Sequence, residues 1–268
     1  MEVRTILVFS DLNRPNAETL AVAADLAKRA GAKVTGLAAS LPAAIVASAE
    51  GAMIAAEAYL AERQRLETVL SERESEFAAH VPEAQRGRFL TLLDNPAEAL
   101  AGSARAADLI VVSGASNGDE LDLGTLMVSA GRPVLVVAPG TTRLRAEKIV
   151  VAWKDGKEAR RAVADALPLL KAAQEVLVLA VDEGHLGAEK SSIDDVVAWL
   201  GTHGVTARGE VVPMGQGLAG TVDSAAVAFG ADLVVAGAYG HSRFREWLLG
   251  GMTRELISRS ALHRFFSN

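Results

Sequence analysis

Short runs of apolar residues alternate with longer helical segments along the whole chain. In the second half, apolar runs predict strands at Ile149–Trp153, Val176–Val181, Val205–Val212 and Leu233–Ala236. The segments between and after them predict helices near Lys157–Leu170, Glu189–Leu200, Leu218–Phe229 and Arg245–Arg259. Short apolar strands that alternate with helices are typical of parallel sheets with right-handed crossovers. The pattern therefore predicts an α/β fold.

The chain contains an internal repeat. RTILVFSD (Arg4–Asp11) aligns with KIVVAWKD (Lys148–Asp155) at an offset of 144 residues. ADLIVVSGAS (Ala107–Ser116) aligns with ADLVVAGAYG (Ala231–Gly240) at an offset of 124. Because two segments that recur in the same order indicate repeated architecture, we expect two similar halves. The offsets differ by 20, so the first half should carry about that many additional residues.

This repeat predicts two domains, at residues 1–140 and 148–268. The first ends in an apolar fifth strand, PVLVVAP at 133–139, and the polar stretch 140–147 is the expected linker. The additional residues of the first half are expected at Leu41 to about Leu60, an Ala-rich segment that continues into a long charged helix.

Composition narrows the class of protein. Half of the residues are hydrophobic and 22% are charged, which is typical of a globular chain with a full core. The absence of cysteine excludes disulfides, thiolate metal sites and a cysteine nucleophile, and it suits a reducing compartment. No apolar run approaches the roughly 18–20 residues of a membrane helix, and the start of the chain lacks a signal-peptide layout. We expect a cytoplasmic protein without membrane partners, and the net charge of −6 argues against nucleic acid.

A glycine-rich segment follows the last apolar run of the second half. It is GAYGHSRFREWLLGGMTRELI (237–257), with glycines at 237, 240, 250 and 251. Ligands of open α/β sheets bind beyond the carboxyl ends of the strands. Glycine lets a backbone approach phosphate closely, and successive N–H groups in such a turn form an anion nest. MTRELI after Gly251 predicts a helix whose N-terminus would also favour phosphate.

The spacing of these glycines is similar to that of the ATP-binding universal stress proteins. The family has Gly, two residues, Gly, nine residues, then Gly followed by Ser or Thr. Gly237, Gly240 and Gly250 match this spacing, whereas Gly251 stands in place of the hydroxyl residue and Thr253 is its candidate substitute. The resemblance covers nearly the whole chain. It implies two tandem parallel-sheet, Rossmann-like domains of the flavodoxin-like and adenine nucleotide α-hydrolase-like type, packed as a pseudo-dimer.

The resemblance also implies a nucleotide site for ATP or ADP, with or without Mg²⁺. Carried onto this sequence, its residues are Trp153, Asp155, Val181, Asp182, Gly237, Gly240, His241, Ser242, Gly250, Gly251, Met252 and Thr253. The family places an acidic residue after its first strand, near the base and ribose. Asp155 matches it by position, and Asp11 is the expected counterpart in the first half.

Several of these residues also have a purely structural interpretation. Asp155 could cap the next helix, whose first turn would contain Lys157 and Glu158. The glycines could be ordinary turn and cap residues, Trp153 could be core, and His241 could simply be exposed. The sequence leaves these alternatives open.

The matching loop of the first half is acidic. In GASNGDELDLGTLMV (114–128) the glycine spacing is shortened, and Asp119, Glu120 and Asp122 are present. Three carboxylates would repel a polyphosphate by roughly a few kcal/mol at surface-like dielectric. We therefore expect this half not to bind nucleotide.

No catalytic or metal site is predicted. The sequence lacks GxxxxGK[ST], HExxH and GxSxG, and its five histidines (80, 185, 203, 241, 263) show no metal-ligand spacing. The first hypothesis is a stress-response regulatory protein that binds an adenine nucleotide, with at most slow, incidental ATP hydrolysis. The second is an interaction or scaffold protein of the same family that binds no nucleotide.

Assembly beyond the pseudo-dimer stays open. Universal stress proteins commonly pair through a fifth strand. In this chain the final stretch SALHRFFSN places His263 and Arg264 where an apolar strand would be expected. This weakens the case for a homodimer through that edge, and it leaves the protein partner unknown.

Overall fold

The structure is a computed structural model that describes residues 2–41, 52–114, 121–182, 184, 186–215, 217–238 and 262–268. Within them the strands are β1 (Thr5–Phe9), β2 (Lys33–Ala39), β3 (Arg86–Leu92), β4 (Leu109–Ser113), β5 (Val134–Val137), β6 (Lys148–Ala152), β7 (Glu175–Asp182), β8 (Ala207–Pro213), β9 (Leu233–Gly237) and β10 (His263–Ser267). The helices are α1 (Ala17–Ala30), α2 (Ala52–His80), α3 (Pro96–Ser103), α4 (Leu123–Ser129), α5 (Lys157–Ala172), α6 (Leu186–Thr202) and α7 (Gly217–Phe229). Each of these helices is too short or too polar to cross a bilayer.

The described strands form one sheet in the order β3-β2-β1-β4-β5-β10-β9-β6-β7-β8. Strands β1 to β5 make one half, and β6 to β10 repeat the same order in the other. Neighbours within a half are parallel, whereas β5 and β10 pair antiparallel where the halves meet. The predicted Rossmann-like α/β fold is confirmed, and the halves form a pseudo-dimer through their fifth strands. Because they share one sheet, the domain bounds 1–140 and 148–268 stay a prediction.

The antiparallel junction determines where sites can lie. Strands of the first half run in one direction and strands of the second half in the other. Ligands of open α/β sheets bind at the carboxyl ends of the strands. The carboxyl ends of the strands in the first half and those in the second half therefore point in opposite directions. The candidate sites of the two halves accordingly lie at opposite ends of the strands.

The predicted elements of the second half are present wherever the structure describes them. Their ends are shifted by up to three residues; α6, for example, begins at Leu186 rather than Glu189. The fifth strand of the first half is β5, as predicted. The long charged helix is α2, which spans 29 residues and begins inside the predicted insert. Residues 42–51 of that insert and the helix expected at Arg245–Arg259 lie outside the described residues.

Helices cover both faces of the sheet. The front face carries α1, α2, α5 and α6, whose side chains, such as Leu26 and Val163, share one buried cluster with the strands. The back face carries α3 and α4 in the first half and α7 in the second, with Leu100 and Ala226 as buried examples. Because both faces are covered, the inner strands β1, β4, β5, β6 and β9 are predominantly apolar, as expected for buried parallel sheets, whereas the edge strands β3 and β8 carry exposed polar residues.

An aspartate at the start of the fourth strand of each half ties it to the first strand. The Asp108 backbone N–H donates to Thr5 O, and the Asp232 N–H donates to Lys148 O, both at 2.9 Å. The Asp108 carboxylate also accepts from Arg4 N and Thr5 N. Burial alone would raise the pKa of Asp108, but these hydrogen bonds and that of the Thr5 hydroxyl together hold the pKa below its usual value.

These equivalent bonds correct the register of the repeat. Thr5 corresponds to Lys148, an offset of 143 rather than 144. The loops that follow differ in length, since α1 begins at Ala17 and α5 at Lys157. At an offset of 143 Asp11 does not align with Asp155, so the expectation that these two residues are counterparts was wrong. The error arose because two apolar runs align almost equally well when one of them is shifted by one residue.

The polar residues of β10 all find partners inside the protein. Arg264 is buried and donates to Asp223 Oδ1 of α7 at 2.7 Å. Ser267 Oγ donates to Asp165 Oδ2 of α5 at 2.6 Å. His263 Nδ1 accepts from the Ala138 N–H at 3.3 Å. This strand lies in the middle of the sheet rather than at an edge, so it is already paired within the chain.

His263 should make stability depend on pH. Burial lowers its pKa below the usual 6.5, although Arg143 O and the charge of Asp232 partly oppose this. A folded-state pKa below the unfolded one means that acid favours unfolding: the stability is complete above pH 6.5 and is lost as pH falls through the lowered folded pKa. We expect the free energy of unfolding from urea titrations to fall between about pH 7.5 and pH 5, and to fall less in His263→Asn. Equal pH slopes in the two proteins would contradict this.

Candidate functional site

The second-half crevice lies at the carboxyl ends of β6, β7 and β9. It is formed by Trp153–Gly156 after β6, Val181–Asp182 at the end of β7, and Gly237 at the end of β9. Ala152 pairs with both β7 and β9, so these ends are adjacent. From β6 the chain continues to β7, whereas from β9 it continues to β10 on the other side. The crevice is therefore a topological switch point, where ligands of such sheets bind.

Gly237 allows the start of α5 to pack directly on the end of β9. A Cβ on this residue would lie 2.5 Å from Ala159 N and 2.6 Å from Glu158 C. Both atoms are backbone, so neither could move aside without shifting the helix. The glycine is needed here for a close approach, whatever the following loop binds.

Glu158 is a buried acidic residue that the sequence analysis did not single out. Its side chain is 6% exposed, and among the described residues its one polar contact is Lys157 Nζ at 3.6 Å, an ammonium that is itself exposed. A Cβ on Gly156 would lie 3.4 Å from Glu158 Oε2, and one on Gly237 would lie 2.9 Å from Glu158 Cβ. The base of the Glu158 side chain therefore lies against the end of β9, and one oxygen of its carboxylate lies beside Gly156 in the loop after β6.

Trp153 and Asp155 point to a different place. With Arg160, Ser192, Asp195 and Trp199 they line a cavity of about 500 Å³ between α5 and α6, here called the tryptophan cavity. Trp153 Nε1 donates to Ser192 Oγ at 2.6 Å. The structure brings these two predicted residues together, but on the front face rather than over Gly237.

The helix-cap interpretation of Asp155 is wrong. The N-cap of α5 is Gly156, which has no side chain to cap with. Asp155 Oδ1 instead accepts from Arg160 Nη2 at 2.6 Å and from Arg160 Nε at 3.0 Å. The exposed Asp155 carboxylate is thus engaged by Arg160 rather than by the backbone at the start of α5.

Val181 and Asp182 extend β7 beyond the level at which β6 ends. Val181 is buried on the back face with Val222 of α7. Asp182 Oδ1 accepts from the Gly184 N–H at 2.7 Å, which shapes the turn after the strand. The remaining candidates, Gly240, His241, Ser242, Gly250, Gly251, Met252 and Thr253, lie outside the described residues, and their role stays a prediction.

In the first half the equivalent loop is covered by α2. Asn16 N and Nδ2 donate to Glu76 Oε1 and Oε2 at 3.0 and 3.1 Å, and Arg73 Nη1 also bonds Glu76 at 2.8 Å. Leu12 shares a buried cluster with two leucines of the same helix. The longer helix of the first half thus lies over the place that the second half leaves as the tryptophan cavity.

The acidic loop of the first half contributes one described carboxylate. Asp122 caps α4, accepting from Thr125 N at 3.1 Å and Thr125 Oγ1 at 2.7 Å. It has a local structural role as well as a charge. Asp119 and Glu120 lie outside the described residues.

Comparison with known proteins identifies solved structures that share this fold. No protein-family model and no curated protein matches the sequence. A universal stress protein from Archaeoglobus fulgidus matches the structure with a TM-score of 0.70 and 17% identity, covering 98% of this chain and 96% of that one. A putative universal stress protein from Pseudomonas aeruginosa matches at 0.53 and 15%, over 99% and 93%. A functionally unknown protein from the same organism matches at 0.55 and 14%, over 99% and 92%.

At these identities the likeness defines the fold. Both named proteins match over almost the whole of both chains. The chain therefore has the fold of full-length universal stress proteins, and the resemblance inferred from the glycine spacing is confirmed at that level.

Proposed function

We propose that this chain is a cytoplasmic stress-response regulatory protein that binds one adenine nucleotide, ATP or ADP, in the second-half crevice. The observation that carries the proposal is the position of Gly237. This first glycine of the spaced motif ends β9 at a switch point, where it packs against the first turn of α5, which carries the buried Glu158. The fold shared with universal stress proteins over the whole chain supports the same function.

In this proposal Glu158 determines which end of the nucleotide lies beside it. A buried carboxylate needs hydrogen-bond donors, because its desolvation is otherwise uncompensated. The ribose hydroxyls or the adenine amino group supply donors, whereas a phosphate beside Glu158 would be repelled. The nucleoside end therefore lies toward Glu158 and the phosphates toward residues 240–253. Any Mg²⁺ would be bound mainly through those phosphates.

The proposal assigns one nucleotide to each chain. In the first half, α2 lies over the equivalent loop and Glu76 already takes the hydrogen bonds of Asn16. In the second half, α6 is 17 residues long against 29 for α2. The longer helix α2 is therefore expected to close one site, and the shorter α6 to leave the other open.

The nucleotide regulates rather than reacts in this proposal. The sequence shows no general base beside a nucleophile, so any hydrolysis would be slow. The alternative, an interaction protein without nucleotide, is favoured by one feature: Gly251 replaces the hydroxyl residue of the motif. A titration with nucleotide separates the two.

Gly240→Val combined with Gly250→Val is expected to weaken ATP binding at least about tenfold, since each lost hydrogen bond to a charged phosphate is worth roughly 1.5–3 kcal/mol. A side chain would intrude on the phosphates or forbid the backbone conformation that the loop needs. Adenosine binding should change much less, because Glu158 contacts the other end of the ligand. Gly251→Ser should tighten ATP. Calorimetry measures both ligands and the stoichiometry, which is expected to be one.

The matched control carries two valines at Gly102 and Gly187, where an added Cβ meets nothing within 4 Å. Circular dichroism confirms that each variant is folded. Glu158→Gln adds a second arm and should weaken adenosine and ATP alike. The interaction-only alternative takes over if the folded loop variant binds ATP like the unaltered protein, or if the unaltered protein binds no nucleotide. Two nucleotides per chain would refute the role assigned to α2.

A further inference from the structure

Another cavity lies on the front face of the sheet, where the two halves meet. It opens between the C-terminal parts of α1 and α5, and residues of both halves line it. The first half contributes Ile6 and Leu109 from β1 and β4, and the second half contributes Phe265 from β10. Its volume of about 320 Å³ is within the range of small-molecule sites. This space is here called the junction cavity.

The junction cavity is distinct from the second-half crevice. Helix α5 contributes its first turn, with Glu158, to the crevice, but its residues from Asp165 to Ala172 to the junction cavity. At 1.5 Å per residue, Pro168 lies about 15 Å along the helix from Glu158. Among the described residues, none from the loops after β6, β7 and β9 lines the cavity. The proposed nucleotide therefore does not account for it.

The inside of the junction cavity is apolar. Its floor consists of Ile6, Leu109 and Phe265, all three of which are buried in the sheet. Leu26 of α1 and Leu169 of α5 lie on its two sides. An apolar ligand body that enters here leaves water for a hydrocarbon surface, which is the main source of favourable binding free energy for such a site.

The charged residues that line the junction cavity in the described part of the chain are already paired with opposite charges. The pairs are Glu2–Arg4, Arg29–Asp25 and Asp165–Arg161. Arg29 Nη2 also donates to Leu144 O, and Asp165 Oδ2 also accepts from Ser267 Oγ, both at 2.6 Å. A charged ligand would lose its water and find these groups engaged, whereas a neutral ligand has no such cost. The lining therefore favours a neutral molecule.

We propose that the junction cavity binds a small neutral molecule with an apolar body and a single hydroxyl group, of the class of medium-length aliphatic alcohols. The body packs against the floor and the leucines of α1 and α5. The hydroxyl stays at the opening, where Ala30 and Ala172, the last residues of α1 and α5, are exposed. The proposal is independent of nucleotide binding in the crevice.

Three ligands with the same body test the requirement for a neutral molecule. At neutral pH 1-octanol, octylamine and octanoate are neutral, positive and negative. Calorimetry on the full chain is expected to show octanol binding at least about tenfold more tightly than either ion. Shortening the alcohol to heptanol and hexanol should weaken binding about fourfold for each methylene removed. Equal affinity for octanol and either ion, no dependence on chain length, or no binding of octanol overturns the proposal.

Three exposed alanines provide matched variants that locate the binding. Ala172→Phe and Ala30→Phe fill the opening from opposite sides and should each weaken octanol binding at least about tenfold. Ala198→Phe makes the same change on α6, away from the cavity, and should leave the affinity unchanged. Circular dichroism confirms that each variant is folded. If either folded cavity variant binds octanol like the unaltered protein, or if Ala198→Phe loses as much affinity, the alcohol binds elsewhere and the proposal is wrong.

Discussion

Gly237→Ala is expected to destabilise the fold by about 3 kcal/mol, at the upper end of the usual cost of overpacking. The added methyl would lie 2.5 Å from Ala159 N and 2.6 Å from Glu158 C. These backbone atoms belong to the first turn of α5, so relief requires the helix to move off β9. The free energy of unfolding from urea titration measures the loss.

Two other glycines provide comparisons. At Gly209 an added Cβ would lie 2.1 Å from Ile193 Cγ2, the branch methyl of a buried β-branched side chain in α6, so Gly209→Ala should also be destabilising. At Gly102, inside α3, nothing lies within 4 Å, and Gly102→Ala should be neutral or slightly stabilising. If Gly237→Ala proves as stable as Gly102→Ala, the close approach of α5 to β9 is not a constraint.

This result also decides how the phosphate loop can be tested. A Gly237 variant that loses nucleotide would do so through displaced α5 as readily as through lost phosphate contacts. The loop test therefore uses Gly240 and Gly250, which lie further along the motif. Gly237 matches the motif by spacing, but the described structure explains it by packing.

Most of the fold could be predicted because the information is local. Apolar runs such as Ile149–Trp153 are long enough to identify strands buried on both faces, and the alternation with helices restricts the topology. The internal repeat also predicted that the chain is organised as two similar halves. The register was wrong by one residue because consecutive valines and isoleucines align nearly as well after a slip, whereas the Asp108 and Asp232 hydrogen bonds settle it.

The site was predicted less well because its residues are chosen by tertiary contacts. An acidic residue in the first turn of a helix is expected from the helix dipole alone, so nothing in the sequence separates buried Glu158 from exposed Asp155. Similarly, Glu76 looks like one of many charges on α2, although it reaches Asn16, 60 residues away. An apolar strand was expected where His263 and Arg264 stand, because the sequence does not show that Arg264 and Ser267 of β10 bond to carboxylates of α7 and α5.

Asp223→Leu is expected to cost about 3–5 kcal/mol of stability, because it removes the Asp223 carboxylate that accepts from the buried Arg264 guanidinium. Adding Arg264→Met should recover most of that loss, since a buried ion pair can often be replaced by apolar side chains of similar size. Urea titration of the two single variants and the double variant gives a double-mutant cycle for the Arg264–Asp223 pair.

The cycle tests why a charged residue lies in the central strand of the sheet. Arg264 pairs through its backbone with Val136 of β5 and Val234 of β9, so any disturbance here acts on the junction between the two halves. If the single Asp223→Leu variant is as stable as the unaltered protein, the ion pair contributes nothing to that junction. If the double variant is no more stable than Asp223→Leu, the cost arises from the shape of the side chains rather than from the loss of the Arg264–Asp223 ion pair. Recovery in the double variant would show that β10 tolerates an apolar residue at this position, and that the polar sequence is not required for the halves to pair.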